Sequence, residues 1–179
     1  MKHQPRSVIA DNNNQPNAVN DGPLFTWHKG ALTISTDRRL LDIDFIHHFL
    51  RHSHWAQGID RATLESAIRH SLCFGLYRKK RQIGFARVVT DHATFAWLSD
   101  VFITAEYRGN GLGQWLMHSC LEHPLMSGLH RIMLYASQAP WLYAKVGYEP
   151  VNQPDRVWTI TQPAIDQPCG ALNIPQSVH

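Results

Sequence analysis

The stretch "VFITAEYRGNGLGQWLMHSCL", residues 101–121, joins an apolar run of strand character to one of helical spacing through glycines at 109, 111 and 113. A chain that passes from strand to helix through alternate glycines is committed to a turn of unusual dihedrals and to a helix whose first N–H groups lie uncovered. Together with the positive end of the helix dipole, those amides make an anion cradle. Two phosphate loops fail on inspection. The Walker pattern needs Gly-Lys-Ser/Thr, which is absent, and the dinucleotide fingerprint needs a glycine where Gln114 stands. Taken alone, the loop reads equally well as turn glycines at a helix cap, so its surroundings have to decide.

Upstream lie three runs rich in aromatic and branched residues, "CFGLYRK", "QIGFARVVTD" and "TFAWLSDVFI", separated by short polar breaks. This pattern predicts an antiparallel meander. Before it, "ALTIS" (31–35) predicts a strand, and Leu41, Phe45, Ile46, Phe49 and Leu50 recur at helical spacing. Asp60 can cap a second helix that carries Leu64, Ala67, Ile68 and Leu72. After the glycines, a helix over 111–123 presents Leu112, Trp115, Leu116 and Cys120 as its apolar stripe. "RIMLY" (131–135) predicts a strand, "PWLYAKVG" a short helix between Pro140 and Gly147, and "RVWTI" (156–160) a last strand. The organisation is α/β.

At 179 residues the chain suits one domain. Residues 1–27, rich in Asn and Pro, read as a disordered N-terminal extension, 28–162 as the folded domain, and 163–179 as an irregular tail. A hydrophobic content of 44% contains no run near the roughly 18 to 20 apolar residues of a membrane span. The first residues lack the apolar centre of a signal peptide, and Cys73, Cys120 and Cys169 form no CxxC. A cytoplasmic protein with free thiols and no membrane partner is expected. The net charge of +3 is a mild bias, and "RKKR" (78–81) reads as a solvated turn rather than a nucleic-acid patch.

The pattern Arg/Gln-x-x-Gly-x-Gly/Ala, present as Arg108-Gly109-Asn110-Gly111-Leu112-Gly113 between strand and helix, is followed about thirty residues on by "LYAKVGY". With both motifs in order, the chain resembles the GNAT superfamily of acyl-CoA N-acyltransferases, and within it the small bacterial single-domain members, over roughly residues 28–162. The resemblance implies a central mixed, mostly antiparallel sheet, flanked by helices and splayed after the fourth strand, with acetyl-CoA as cosubstrate in the cleft. The pyrophosphate would rest on backbone N–H groups from Gly109 to Gly113, with Arg108 offsetting its charge, and the pantetheine would pair with the backbone of Val101, Phe102 and Ile103.

The implied reaction is N-acetylation of a primary amine, on a small molecule or peptide, by direct attack. Tyr143, matching the family's frequent general acid, would protonate the departing thiolate, although a Tyr that only packs under the cofactor is the competing reading. A backbone N–H near Val101 would stabilise the oxyanion. Asp100 is the candidate base, its alternation with Ala96 and Leu98 placing it on a face that the splay could open. An Asp that orients backbone or pairs with Arg87, or a water relay, stands beside it. A catalytically silent CoA-binding regulatory module is the alternative function.

"HSHWAQGI" joins the first two helices, where His54 and Trp55 are candidate acceptor contacts and Trp55 is equally a core residue. His48 and His52 have the i, i+4 spacing of a metal pair, but no third ligand pattern follows, so no metal is expected. Cys120 reads as a packed thiol. Many relatives carry Asn where this chain has Ala136, a pantetheine contact that Ser137 or Gln138 would have to replace. An exposed edge strand near the C-terminus makes a homodimer one possible assembly.

Overall fold

Asp42 and Asp60 each accept a hydrogen bond from the backbone N–H three residues on, at Phe45 and Thr63. They thereby cap α1 (Ile43–Arg51) and α2 (Arg61–Arg69). The computed structural model that shows this describes residues 6–7, 23–136, 138–152 and 157–160. α3 (Leu112–Glu122) begins with no side-chain cap, at Gly111. His123 ends it and accepts from Leu125 N–H to open the short α4 (Pro124–Ser127), while Pro140 occupies the first turn of α5 (Pro140–Lys145), where its missing N–H costs nothing.

The strands pair in chain order in one sheet: β1 (Arg6–Ser7), β2 (Phe25–Lys29), β3 (Leu32–Ser35), β4 (Leu72–Arg78), β5 (Arg81–Thr90), β6 (Phe95–Ile103) and β7 (Arg131–Leu134). Every pair is antiparallel except β6–β7, which is parallel. Here β6 is the fourth strand expected from sequence. The strand β2 was not expected, and it lies partly in the supposed N-terminal extension. Lys29 pairs with Leu32 across a two-residue turn, Gly30–Ala31, in which Gly30 has φ 58°. That turn is the tight hairpin a Gly-X pair favours.

Each face of the sheet carries its own core. On one, Trp27, Ile34, Phe74, Leu76 and Val88 pack against Leu112, Leu116, Met117 and Cys120 of α3 and Met126 of α4. On the other, Ile46, Leu50, Leu64 and Ile68 of α1 and α2 meet Cys73, Phe85 and Phe102. Nine-residue helices are marginal in isolation. Ile46, Leu50 and Leu64 are fully buried, and at about 1.5–3 kcal/mol each this packing holds α1 and α2 to the sheet.

Residues Met1–Tyr148 form one compact unit and Glu149–His179 a second, and the sheet and helices all belong to the first. In the second, residues 149–152 and 157–160 carry no regular structure, so the strand expected over 156–160 is not formed at 157–160. Arg156 and the tail from 163 lie outside the described residues, as do residues 1–5 and 8–22. No helix among the described residues is long and apolar enough to cross a membrane. The "RKKR" segment is an exposed β4–β5 turn, with Arg81 paired to Glu106 at 2.8 Å and Arg78 over the Tyr107 ring.

Candidate active site

The sheet opens between β6 and β7. Their parallel register runs from Phe95↔Arg131 to Leu98↔Leu134 and stops, while β6 continues to Ile103. Among the described residues, β6 is paired from Ser99 onward only on its β5 side. Thr104 N–H donates to Ile83 O, so strand alternation turns the peptide groups of Ile103 and Val101 the other way, toward the opening. The Ile103 carbonyl there already accepts from Arg108 Nε at 2.9 Å.

A bulge interrupts β6 at this point. Arg87 pairs with Ser99 and Phe85 with Phe102, so two steps on β5 face three on β6, and Asp100 takes φ 53°. Asp is among the few non-glycine residues that tolerate the left-handed region. One extra residue exchanges the faces of everything beyond it. Ala96 and Leu98 belong to the α3-side core, but after the bulge Val101 and Ile103 return to that side while Phe102 faces α1. Phe102 stacks on Phe49 at 3.8 Å with 7° between the rings. Opposite, Gly84 has no room for a side chain, since a Cβ would stand 2.9 Å from Phe102 O.

Asp100 therefore does not sit on the Ala96/Leu98 face, as simple alternation predicts. Its Oδ2 accepts from Arg87 Nε at 2.6 Å, and its Oδ1 from Ser99 Oγ at 3.3 Å. Arg87 also donates to Ser71 Oγ at 3.1 Å and to Ser99 Oγ at 3.4 Å. With side chains 8% and 16% exposed, the Asp100–Arg87 pair is largely enclosed. This is the Arg87 pairing that the sequence left open beside the role of base.

The glycine loop has the geometry an anion cradle needs. Gly109 and Gly111 have φ 80° and 72°, and a Cβ at either would meet only open space, so conformation rather than crowding demands glycine. The first helical bond runs from Trp115 N–H to Gly111 O, which leaves the amides of Leu112, Gly113 and Gln114 without intrahelical acceptors. Asn110 Nδ2 donates to the carbonyls of Tyr107 and Arg108 and so braces the loop itself. Leu112 is buried, anchoring the helix start in the core. At Gly113 a Cβ would come 3.4 Å from Leu142 Cδ2, which sets how closely α5 lies against α3.

On α5, Tyr143 packs against the α3-side core, its ring edge-on to Tyr148 at 6.2 Å. Burial raises the phenol above its ordinary range. Its hydroxyl has no hydrogen-bond partner among the described residues. Cys120 is buried and its thiol pushed up by desolvation, and Cys73 is pushed up to about 12 by the same cause. Neither is a ready nucleophile. Ser137 lies outside the described residues.

A cleft of about 490 Å³ lies where three segments converge. His48, Phe49 and His52 enter from the end of α1, and Ser53, His54 and Trp55 from the loop after it. Arg108, after β6, and Gln138, before α5, complete it. The cleft thus brings together His54, Trp55 and Arg108 and adds His48, His52 and Gln138, which the sequence marked only as a metal pair and as a substitute contact. Trp55 is 44% exposed rather than a core residue. Among the described residues that line the cleft, none is acidic.

A family model described as an acetyltransferase (GNAT) domain matches residues 69–150. A protein of Gibberella zeae, provisionally named an acetyltransferase, is 33% identical over 141 residues, covering 66% of this chain and 79% of the fungal one. A solved structure from Xanthomonas campestris pv. campestris, placed in the GNAT family, is 43% identical with TM-score 0.71, over 75% of this chain and 95% of that one. A Clostridium acetobutylicum protein solved with acetyl-CoA has the same fold at TM-score 0.53 and 14% identity, over 69% of this chain and 91% of its own.

Proposed function

The chain belongs to the GNAT family of acetyltransferases, and from that membership we propose that it moves the acetyl group of acetyl-CoA onto a primary amine of a small molecule or peptide by direct attack. One observation carries the reading: the left-handed glycine loop at the start of α3 lies at the end of the strand whose edge is left unpaired by the splay. The amides at the start of α3 can take the pyrophosphate, and the free edge of β6 can take the pantetheine arm as a strand takes a neighbour. Arg108 supplies charge beside both. The Clostridium acetobutylicum protein, similar in fold, was solved with this cosubstrate.

In the proposed reaction the amine nitrogen attacks the thioester carbon, and the Val101 N–H meets the developing oxyanion. Collapse breaks the carbon–sulfur bond, and the thiolate takes the Tyr143 proton. Because burial raises Tyr143, the phenol stays protonated across neutral pH and is always loaded. Asp100, held by Arg87, acts as a brace that fixes the bulge and with it the direction of the Val101 N–H. His54 and Trp55 border the acceptor.

Thermal unfolding with acetyl-CoA, against dephospho-CoA and adenosine, tests the donor site. At a hundredfold excess over Kd, binding stabilises by about 2.7 kcal/mol, a rise of about 5 to 11 °C for this size. The expected result is that rise with acetyl-CoA and none with adenosine, followed by free CoA release with an accepting amine. No shift at millimolar acetyl-CoA would sink the reading.

A further inference from the structure

An amine must lose a proton to become an amide, and the site as described has no carboxylate to receive it. Asp100 is bound by Arg87, and no acidic side chain lines the cleft among the described residues. The carboxylates at the starts of α1 and α2 are committed as well. Asp42 and Asp60 cap α1 and α2, and Asp44 is paired with Arg61. The lining groups whose side-chain type serves as a proton acceptor are imidazoles: His48, His52 and His54.

His52 has a fixed tautomer and lines the cleft. Its Nδ1 lies 2.7 Å from His48 O, and a carbonyl can only accept, so Nδ1 carries the hydrogen. In the neutral ring Nε2 then holds the lone pair. A base whose second nitrogen is tied to a fixed acceptor keeps one tautomer and one ring orientation. The other charged or titratable groups around it are His48, its ring centroid 4.8 Å away, Arg51 on the same helix, and His54 and Arg108 in the cleft. Among the described residues that line the cleft, none is an anion that would hold the imidazolium. A proton received at Nε2 is therefore passed on to water through the open mouth of the cleft.

We propose that His52 Nε2, directly or through one water, is the general base that takes the acceptor amine's proton. The inference rests on the acetyl-transfer reading and assigns the proton acceptor that reading leaves unnamed. Nitrogen–carbon bond formation at the thioester releases one proton to His52, and carbon–sulfur cleavage consumes one from Tyr143; solvent water takes the proton from His52 and returns one to Tyr143, so the exchange balances and both groups are restored.

A matched control exists in the same chain. His70, just after α2, makes the same bond from Nδ1 to a carbonyl four residues back, Ser66 O at 2.8 Å, but does not line the cleft. His52→Ala and His70→Ala should cost the same small amount of stability. For His52→Ala, kcat/KM is expected to fall about 10²-fold, at the low end for a general base. Its pH profile should lose the imidazole limb, and millimolar imidazole should restore turnover. His70→Ala should keep the wild-type rate and profile, and both variants should keep the thermal shift with acetyl-CoA. An unchanged limb in His52→Ala, or a limb lost instead in His48→Gln, overturns the assignment while acetyl transfer by the wild type stands. Wild-type protein that binds acetyl-CoA but releases no CoA with any amine overturns both.

Discussion

The two faces of the sheet divide the work. The α3 face supplies backbone: the glycine loop, the helix amides and, on α5, a single phenol. The α1–α2 face supplies side chains: imidazoles and aromatics that line the cleft, and the Arg87–Asp100 pair at the bulge. Their buried ionisable groups differ in the same way. On the α3 face His123 is buried against the rings of Phe25 and Phe74 with no counter-ion among the described residues, whereas on the other face charge is buried as a pair. The difference teaches that the proposed donor site depends on dihedrals and the proposed acceptor site on a network, so the two should fail in different assays.

The sharpest separation is expected from Tyr143→Phe. Removing one hydroxyl from the α3 face should lower kcat by about 10²–10⁴-fold, the range for a general acid, while acetyl-CoA affinity stays within about threefold. Stopped-flow CoA release and a binding titration measure the two. Equal losses in both would make Tyr143 a packing residue under the cofactor.

Next in size is Asp100→Ala. It strands the Arg87 guanidinium and removes a residue suited to φ 53°, so stability should fall by about 3 kcal/mol, the lower end for a broken buried pair. Asp100→Asn tolerates the dihedral and should recover part of this. If Asp100 is instead a base, Asp100→Asn should remain fully stable and lose the pH-dependent limb of kcat/KM.

Acid tests the opposite face. Burial, with repulsion from His92 as a lesser cause, lowers the His123 imidazole to about 4, against about 6.5 in an unfolded chain. Above pH 6.5 both states are neutral and the contribution is intact. From 6.5 down to about 4 the unfolded chain takes up a proton that the folded one refuses, so stability falls, by about 3 kcal/mol at pH 4. Urea unfolding across that range should lose most of its slope in His123→Gln, whose amide can still accept from Leu125 N–H. A slope that persists would place the acid sensitivity elsewhere.

Much of the α3 face was legible because its requirements are written as residue types. A left-handed turn demands glycine, so Gly109 and Gly111 announce themselves, and the three meander strands follow from their aromatic and branched content. The strand Phe25–Lys29 was legible in principle. Phe25 and Trp27 alternate with Leu32 and Ile34 across Gly30–Ala31, a two-residue hairpin signal obscured by the Asn-rich stretch before it. Asp100 was not legible. Period-two alternation from Ala96 and Leu98 puts it on the wrong face, and a single inserted residue, which leaves no periodic trace, reverses the reading. Of the cleft, His54, Trp55 and Arg108 were legible as site residues but not their convergence with His48 and His52, since which surface imidazoles meet depends on how α1 and α2 dock against Phe102.

The smallest expected effect bears most directly on whether dihedrals alone make the donor site. A β-branched residue at φ 72° is strained by about 1–2 kcal/mol, and a Cβ at Gly111 would meet nothing within 4 Å, so Gly111→Val acts chiefly through backbone strain. If the loop keeps its left-handed turn when free, the strain is present with and without ligand, and the loss appears in stability while acetyl-CoA affinity is unchanged. If the loop relaxes when free, stability recovers and the same energy is withdrawn from binding, as a weakening of about 5- to 30-fold. The two losses should sum to one quantity, measured by unfolding without ligand and by titration with acetyl-CoA. A preorganised cradle puts nearly all of it in stability, and that is the outcome expected, because Asn110 already ties the loop to the carbonyls of Tyr107 and Arg108. Removing that tie by adding Asn110→Ala to the Gly111→Val variant should shift the loss toward affinity, and if it does not, the backbone of the loop is held by something other than the contacts described.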